Sequence, residues 1–222
     1  VIAGRTVLKD VSEQSRIANR PKSYDLASRW LDIESTLTVS TEDLKRSTVA
    51  SIDALPSDEF RLIGIHLPES VNPSEKLWET LRDLEDLDTL HVEDAGNLSA
   101  TVQAVIGEVP SLRELKLLGL QVDAASLAAG GGLNKLEILD LRGSTFNETE
   151  QTDQLWATLV SLRRLTLAST NMALEDLPID AFPRLEHLDV DGTQTSDAAG
   201  AWLASHLLLN SLSVSRTGIS GE

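Results

Sequence analysis

The chain is predicted to fold as an α/β solenoid, a horseshoe with a parallel β-sheet on its concave face and helices and short turns on its convex face. Three observations predict it. Leu87, Leu90 and Val92 recur as Leu112, Leu115 and Leu117, as Leu136, Leu139 and Leu141, as Leu162, Leu165 and Leu167, as Leu185, Leu188 and Val190, and as Leu209, Leu212 and Val214, at steps of 25, 24, 26, 23 and 24 residues. Between these sets, apolar residues return at helical spacing. No single set can bury its own apolar side, so neighbouring coils must supply the interior by stacking.

Residues 1–33 read as an N-terminal cap or linker. Residues 1–30 hold Arg5, Lys9, Arg16, Arg20, Lys22 and Arg29 against Asp10, Glu13 and Asp25, a scattered net of +3. Leu37 and Val39 in STLTVS fit a weak first rung, and Leu62, Ile65 and Leu67 in LIGIHL a second, 25 residues before Leu87. The repeat domain is therefore placed at 34–222, with about seven repeats and the last one incomplete.

The returns follow in order. Leu77, Leu81 and Leu84, then Val102, Val105, Ile106 and Val109, then Leu155, Trp156 and Leu159, then Ala199, Trp202 and Leu203 keep helical spacing. Ser99, Asp123 and Ser196 have side-chain oxygens able to satisfy the free amides of a first turn. Gly130, Gly131, Gly132, Pro110 and Pro183 are expected to stop helices before the next strand. The return NMALEDLPIDAFPRL has two prolines and predicts short turns, leaving the horseshoe uneven there. Trp78, Trp156 and Trp202 fall on the convex side, partly buried against the neighbouring coil, and His206 is read as packed or capping.

Across residues 34–222 this L-x-x-L-x-L phase resembles the leucine-rich-repeat proteins. Where many repeats of that family place Asn or Cys at the ninth position, this chain has Ser144, Thr170, Thr193 and Thr217, which can bond the turning backbone. Leu120 and Ala95 depart from that rule. The stretches DVDGTQTSDAAG and SVSRTGISGE most resemble bacterial repeats with Gly-Thr-x-(Val/Ile)-(Ser/Thr)-Asp before the helix. The resemblance implies a scaffold for binding and names no ligand.

Composition agrees. With 222 residues and 41% hydrophobic content the chain can bury a large core, and 4% aromatic content with abundant leucine suits a stacked ladder. No segment approaches the ~20 apolar residues needed to span a bilayer, so membrane attachment would come only through segments outside this chain. The start at Val1 and the stop at Glu222 soon after a strand lead us to expect an excised piece of a longer protein. Cysteine is absent, which excludes disulfides and thiol chemistry and leaves the compartment open. The N-x-(Ser/Thr) triplets at Asn97 and Asn147 matter only in a eukaryotic secretory setting. The net charge is −16, hence −19 beyond residue 30. Such a surface repels phosphate backbones, and no nucleic acid is expected as partner.

The concave face is the expected binding surface. One outward column reads His66, His91, Lys116, Asp140, Thr166, Asp189 and Ser213; a second Gly64, Thr89, Glu114, Ile138, Arg164, His187 and Ser211; a third Pro68, Glu93, Leu118, Arg142, Ala168, Asp191 and Ser215. Cross-strand charge pairing accounts for much of this array. An apolar centre at Leu118 and Ile138 ringed by charges also has the makeup of a protein interface. The candidate partner-binding residues are therefore His66, His91, Glu93, Glu114, Lys116, Leu118, Ile138, Asp140, Arg142, Arg164 and His187.

Chemistry is not expected. His66 and His91, with Glu93 and Glu114 in reach, carry ligand types for zinc, but a flat sheet gives poor tetrahedral enclosure, and no metal or other cofactor is assigned. The stretch LEHLDVDGT reproduces the Asp-x-Asp-Gly-Thr wording of haloacid-dehalogenase-type phosphatases, which would make Asp189 and Asp191 nucleophile and acid/base. That chemistry needs a downstream Lys and acidic pair around Mg²⁺, and no Lys follows Thr193. Aspartates this few cannot form an EF-hand loop, and no other catalytic motif is present. The sequence thus points to a non-enzymatic module binding a protein through the concave sheet. The alternative is a spacer solenoid joining other domains. Self-association through open repeat ends is a further expectation.

Overall fold

The structure is a computed structural model and describes residues 22–69, 71–94, 97–147 and 152–220. Most of the basic N-terminal segment, residues 1–21, lies outside the described residues, as does Ala95.

Helix α1 (Lys22–Leu31) packs Ala27, Trp30 and Leu31 into the interior. Strands β1 (Thr36–Thr41) and β2 (Arg46–Val49) form a hairpin, followed by β3 (Phe60–Leu67). Each later coil gives one short strand: β4 (Thr89–Glu93), β5 (Glu114–Leu118), β7 (Ile138–Asp140), β9 (Arg164–Thr166), β10 (His187–Asp189) and β11 (Ser211–Ser213). The sheet runs β11-β10-β9-β7-β5-β4-β3-β1-β2, and all contacts from β3 to β11 are parallel. A second, two-stranded ladder pairs β6 (Gln121–Val122) with β8 (Thr145–Phe146), also parallel.

The repeat phase is what holds the stack. Leu90, Leu115, Leu139, Leu165 and Leu188 occupy one ladder, each opposite the next, and all are at most 2% exposed. Leu212 continues that ladder on β11 and is 44% exposed.

The expected first rung is corrected. Leu37 and Val39 do lie on a strand, but β1 runs antiparallel to both β2 and β3. A parallel neighbour needs a crossover of a dozen or more residues, whereas only 42–45 separate β1 from β2. There Asp43 Oδ1 accepts the Lys45 amide at 3.3 Å, Thr41 donates to Asp43, and Leu44 takes φ of 60°. A tight turn therefore folds the chain back into a hairpin.

The returns are helical to different degrees. Leu77 and Leu81 fall on α2 (Glu75–Trp78) and a 3-10 continuation, Glu79–Asp83. Fuller helices are α3 (Ala100–Gly107), α4 (Ala124–Ala129), α5 (Thr152–Thr158) and α6 (Gly200–Ser205). The three expected caps form: Ser99 Oγ accepts Val102 N, Asp123 Oδ1 accepts Ser126 N and Ser196 Oγ accepts Ala198 N. The proline-rich return is a 3-10 turn, Leu174–Asp176, so Pro183 stops no helix.

Gly130 and Gly132 have a role beyond stopping α4. A Cβ on Gly107 would sit 2.0 Å from the Leu127 carbonyl oxygen, one on Gly130 2.3 Å from the Glu108 nitrogen, and one on Gly132 2.7 Å from the Gly107 oxygen. Glycines at these points let α3 and α4 lie backbone against backbone. On the convex side Trp78, Trp156 and Trp202 are fully buried, more so than the sequence suggests. Phe146, Trp156, Phe182 and Trp202 run as a continuous aromatic series with ring centroids 5.7, 5.7 and 6.4 Å apart.

The ninth-position hydroxyls close the turns. Thr170, Thr193 and Thr217 donate to the carbonyls of Leu167, Val190 and Val214 at 2.7, 2.8 and 2.7 Å. Ser144 reaches the preceding coil instead, donating to Leu117 O and accepting from Leu120 N. That bond supplies what Leu120, at the equivalent place, cannot.

Candidate functional site

Strand pairing sets the concave columns. His66 stands opposite His91, His91 opposite Lys116, Lys116 opposite Asp140, and Asp140 opposite Thr166. The second column follows as Thr89, Glu114, Ile138, Arg164, His187 and Ser211. Glu93 stands opposite Leu118. All eleven candidate residues thus lie on described strands or, for Arg142, two residues beyond Asp140.

At the N-terminal end the histidines meet edge to face, with ring centroids 5.9 Å apart. His91 Nε2 lies 2.9 Å from Glu114 Oε1, and Lys116 Nζ lies 2.8 Å from the same oxygen. Burial lowers the His91 pKa, and the Lys116 ammonium lowers it further, outweighing the hydrogen bond to Glu114. Burial raises the Glu114 carboxyl, but the Lys116 hydrogen bond and charge, with His91 behind them, hold it below the usual carboxylate range. His66 Nε2 is 3.2 Å from Glu93 Oε1, at ion-pair distance but without hydrogen-bond alignment.

The charge pairs differ from those that strand neighbours alone suggest. Lys116 faces Asp140 in register, yet its ammonium bonds Glu114 two residues earlier on its own strand. Arg142 likewise folds back on Asp140, at 3.4 Å. Arg164 makes no ion pair among the described residues, and it sits in the column between Ile138 and His187. Leu118 and Ile138 are half-buried, presenting apolar surface at the middle of the sheet. Among the described residues, no three His, Asp or Glu side chains converge as a metal ion would need, and no helix is long and apolar enough to cross a membrane.

The aspartates of the DVDGT stretch serve the turn. Asp189 Oδ1 accepts the Asp191 amide at 3.0 Å, the arrangement Asp140 makes with the Arg142 amide. Asp191 Oδ1 accepts Ser213 Oγ at 2.7 Å and Ser215 N at 2.6 Å. The Ser213 bond in particular keeps the Asp191 carboxyl below its usual range. His206 is buried, with Nε2 2.7 Å from the Ala181 carbonyl.

One column escaped the sequence reading. In the five coils from Leu87 to Leu185, the residue after the first leucine is Asp88, Arg113, Glu137, Arg163 and Glu186 in turn, alternating in sign. Arg113 pairs with Glu137 and lies 3.6 Å from Asp88, and Arg163 pairs with Glu186. The signal was available in the same repeat phase, one residue further along. These pairs are largely exposed and each contributes on the order of 0–1 kcal/mol.

No protein-family model matches the chain, and no curated protein does. Solved structures share the fold. Internalin C2 from Listeria monocytogenes is 20% identical, with a TM-score of 0.52, over 72% of this chain and 64% of its own. The leucine-rich-repeat ectodomain of the receptor kinase SOBIR1 from Arabidopsis thaliana is 22% identical, with a TM-score of 0.40, over 60% of this chain and 72% of its own. The chain thus spans less than two thirds of internalin C2. Its fold is the leucine-rich-repeat solenoid.

Proposed function

We propose that the chain is a non-enzymatic protein-interaction module whose concave sheet receives a protein partner. The observation that carries this reading is the second column, where half-buried Ile138 stands between Glu114 and Arg164, whose guanidinium has no ion pair among the described residues. Leu118 and Ile138 supply desolvable area at the centre, and Arg142 and Arg164 supply directional donors beside it, a composition found at binding hot spots. Glu93, Glu114, Lys116, Asp140 and the histidines His66, His91 and His187 form the polar surround that fixes orientation.

A pull-down with the tagged chain tests the reading. A protein captured by the wild type and lost by the double variant Ile138→Asp, Arg142→Glu supports the concave site. Capture that survives both changes removes it. A solenoid acting only as a spacer would capture nothing through this face in either form.

A further inference from the structure

The rim at the strands' N-terminal ends changes character in the last coil. From Leu87 on, the two positions before each coil's first leucine hold Glu85-Asp86, Pro110-Ser111, Asn134-Lys135, Val160-Ser161 and Pro183-Arg184, then Leu207-Leu208. Leu207 is 90% exposed and Leu208 56%, beside Ile179 at 55%. These side chains border a groove of about 640 Å³ lined by Ala181, Phe182, Pro183 and Leu185, with Asp180 its one acidic side chain. Exposed leucines beside an apolar groove mark a surface that is covered by something.

Charge says what covers it. From Ala198 to Ser215 the chain has no Asp, Glu, Lys or Arg, although the whole carries −16. Two copies carry like charge and repel each other overall; contact through this patch keeps that repulsion smallest, since Asp180 is the one acidic side chain lining it. A protruding pair next to a groove is also self-complementary under a two-fold axis, because the same patch supplies both knob and hole. We infer that this rim is the interface of a homodimer, in which Leu207 and Leu208 of each copy seat in the other's groove. The contact is distinct from the concave face. It also differs from pairing through the β11 edge, since Leu212 does not line the groove.

Sedimentation velocity of the full chain, from micromolar to submillimolar concentration, tests the assignment. The weight-average mass is expected to rise toward twice the 24.1 kDa of one chain. The variant Leu207→Ser, Leu208→Ser should raise the dissociation constant at least tenfold with its far-UV spectrum unchanged. Ile179→Lys, on the groove wall, should produce the same loss and guards against a folding artefact in the first variant. Added NaCl should leave the dimer unchanged or tighten it, because salt screens the mutual negative charge. A monomer at every concentration overturns the inference. So does a dimer indifferent to these substitutions, or one that loosens with salt.

Discussion

The imidazole of His206 lies almost flat on the indole of Trp202, with ring centroids 3.6 Å apart and planes 18° from parallel. Its Nε2 is 2.7 Å from the Ala181 carbonyl oxygen and its Nδ1 2.8 Å from that of Trp202. Trp202 Nε1 in turn donates to Pro178 O at 3.1 Å. Two side chains of one coil thus satisfy carbonyls of the coil before it, where the proline-rich return has no helix to do so. His206→Ala should destabilise the chain by about 1–3 kcal/mol, the cost of a buried carbonyl left unpaired. Urea unfolding followed by tryptophan fluorescence measures it, and an unchanged midpoint would show that water replaces the ring.

Stacking predicts unequal costs for one substitution at equivalent rungs. Leu139→Ala removes a side chain enclosed on both sides and should cost about 2–5 kcal/mol. Leu212→Ala, at a rung already 44% exposed, should cost less than about 1 kcal/mol. Equal losses in parallel thermal melts would count against coil-on-coil burial as the source of stability.

Glycine substitutions separate close approach from backbone conformation. Gly107→Ala forces a methyl against the Leu127 carbonyl and should cost about 3 kcal/mol or more, at the upper end for overpacking. Gly131 has φ of 63° with open space around its Cβ position. Gly131→Ala should therefore cost only about 1–2 kcal/mol, for the left-handed backbone. Circular dichroism melts of the two variants give the comparison.

His91 makes stability depend on pH with a defined sign. Its folded pKa lies below the ordinary value, so as pH falls through about 6.5 the unfolded chain takes up the proton first. Stability from this residue is fully present above that pH and is lost progressively below it, down to the folded value. Lys116, Glu114 and His66 are the titratable groups in contact with it. His91→Gln should flatten the fall in melting temperature between pH 7 and 5 relative to wild type. A steeper fall in the variant would reverse the assignment.

The solenoid was legible because leucine phase is a property of single coils, and every coil from Leu62 onward keeps it. The concave columns followed for the same reason: a parallel ladder in constant register turns sequence spacing directly into spatial adjacency. The N-terminal hairpin was not legible, since Leu37 and Val39 carry the rung's spacing while the direction of β1 is decided by a turn four residues long. Side-chain partners were the other gap. Lys116 could reach Asp140 across the ladder or Glu114 along its own strand, and only geometry shows that Glu114 receives it. Gly130 and Gly132 read only as helix stops, and Gly107 carried no signal, because contact between α3 and α4 has no signature within either helix.

The alternating column of Asp88, Arg113, Glu137, Arg163 and Glu186 bears on how the chain avoids misassembly. Repetitive architectures invite one mistake above others: a turn omitted during folding, so that unit n docks onto unit n+2 with its hydrophobic surface fully accommodated. Leucines alone would tolerate that error. Here it would bring Arg113 against Arg163 and Glu137 against Glu186, so between Leu87 and Leu185 the ladder biases the chain toward the correct neighbour, by the small energy that exposed charges carry.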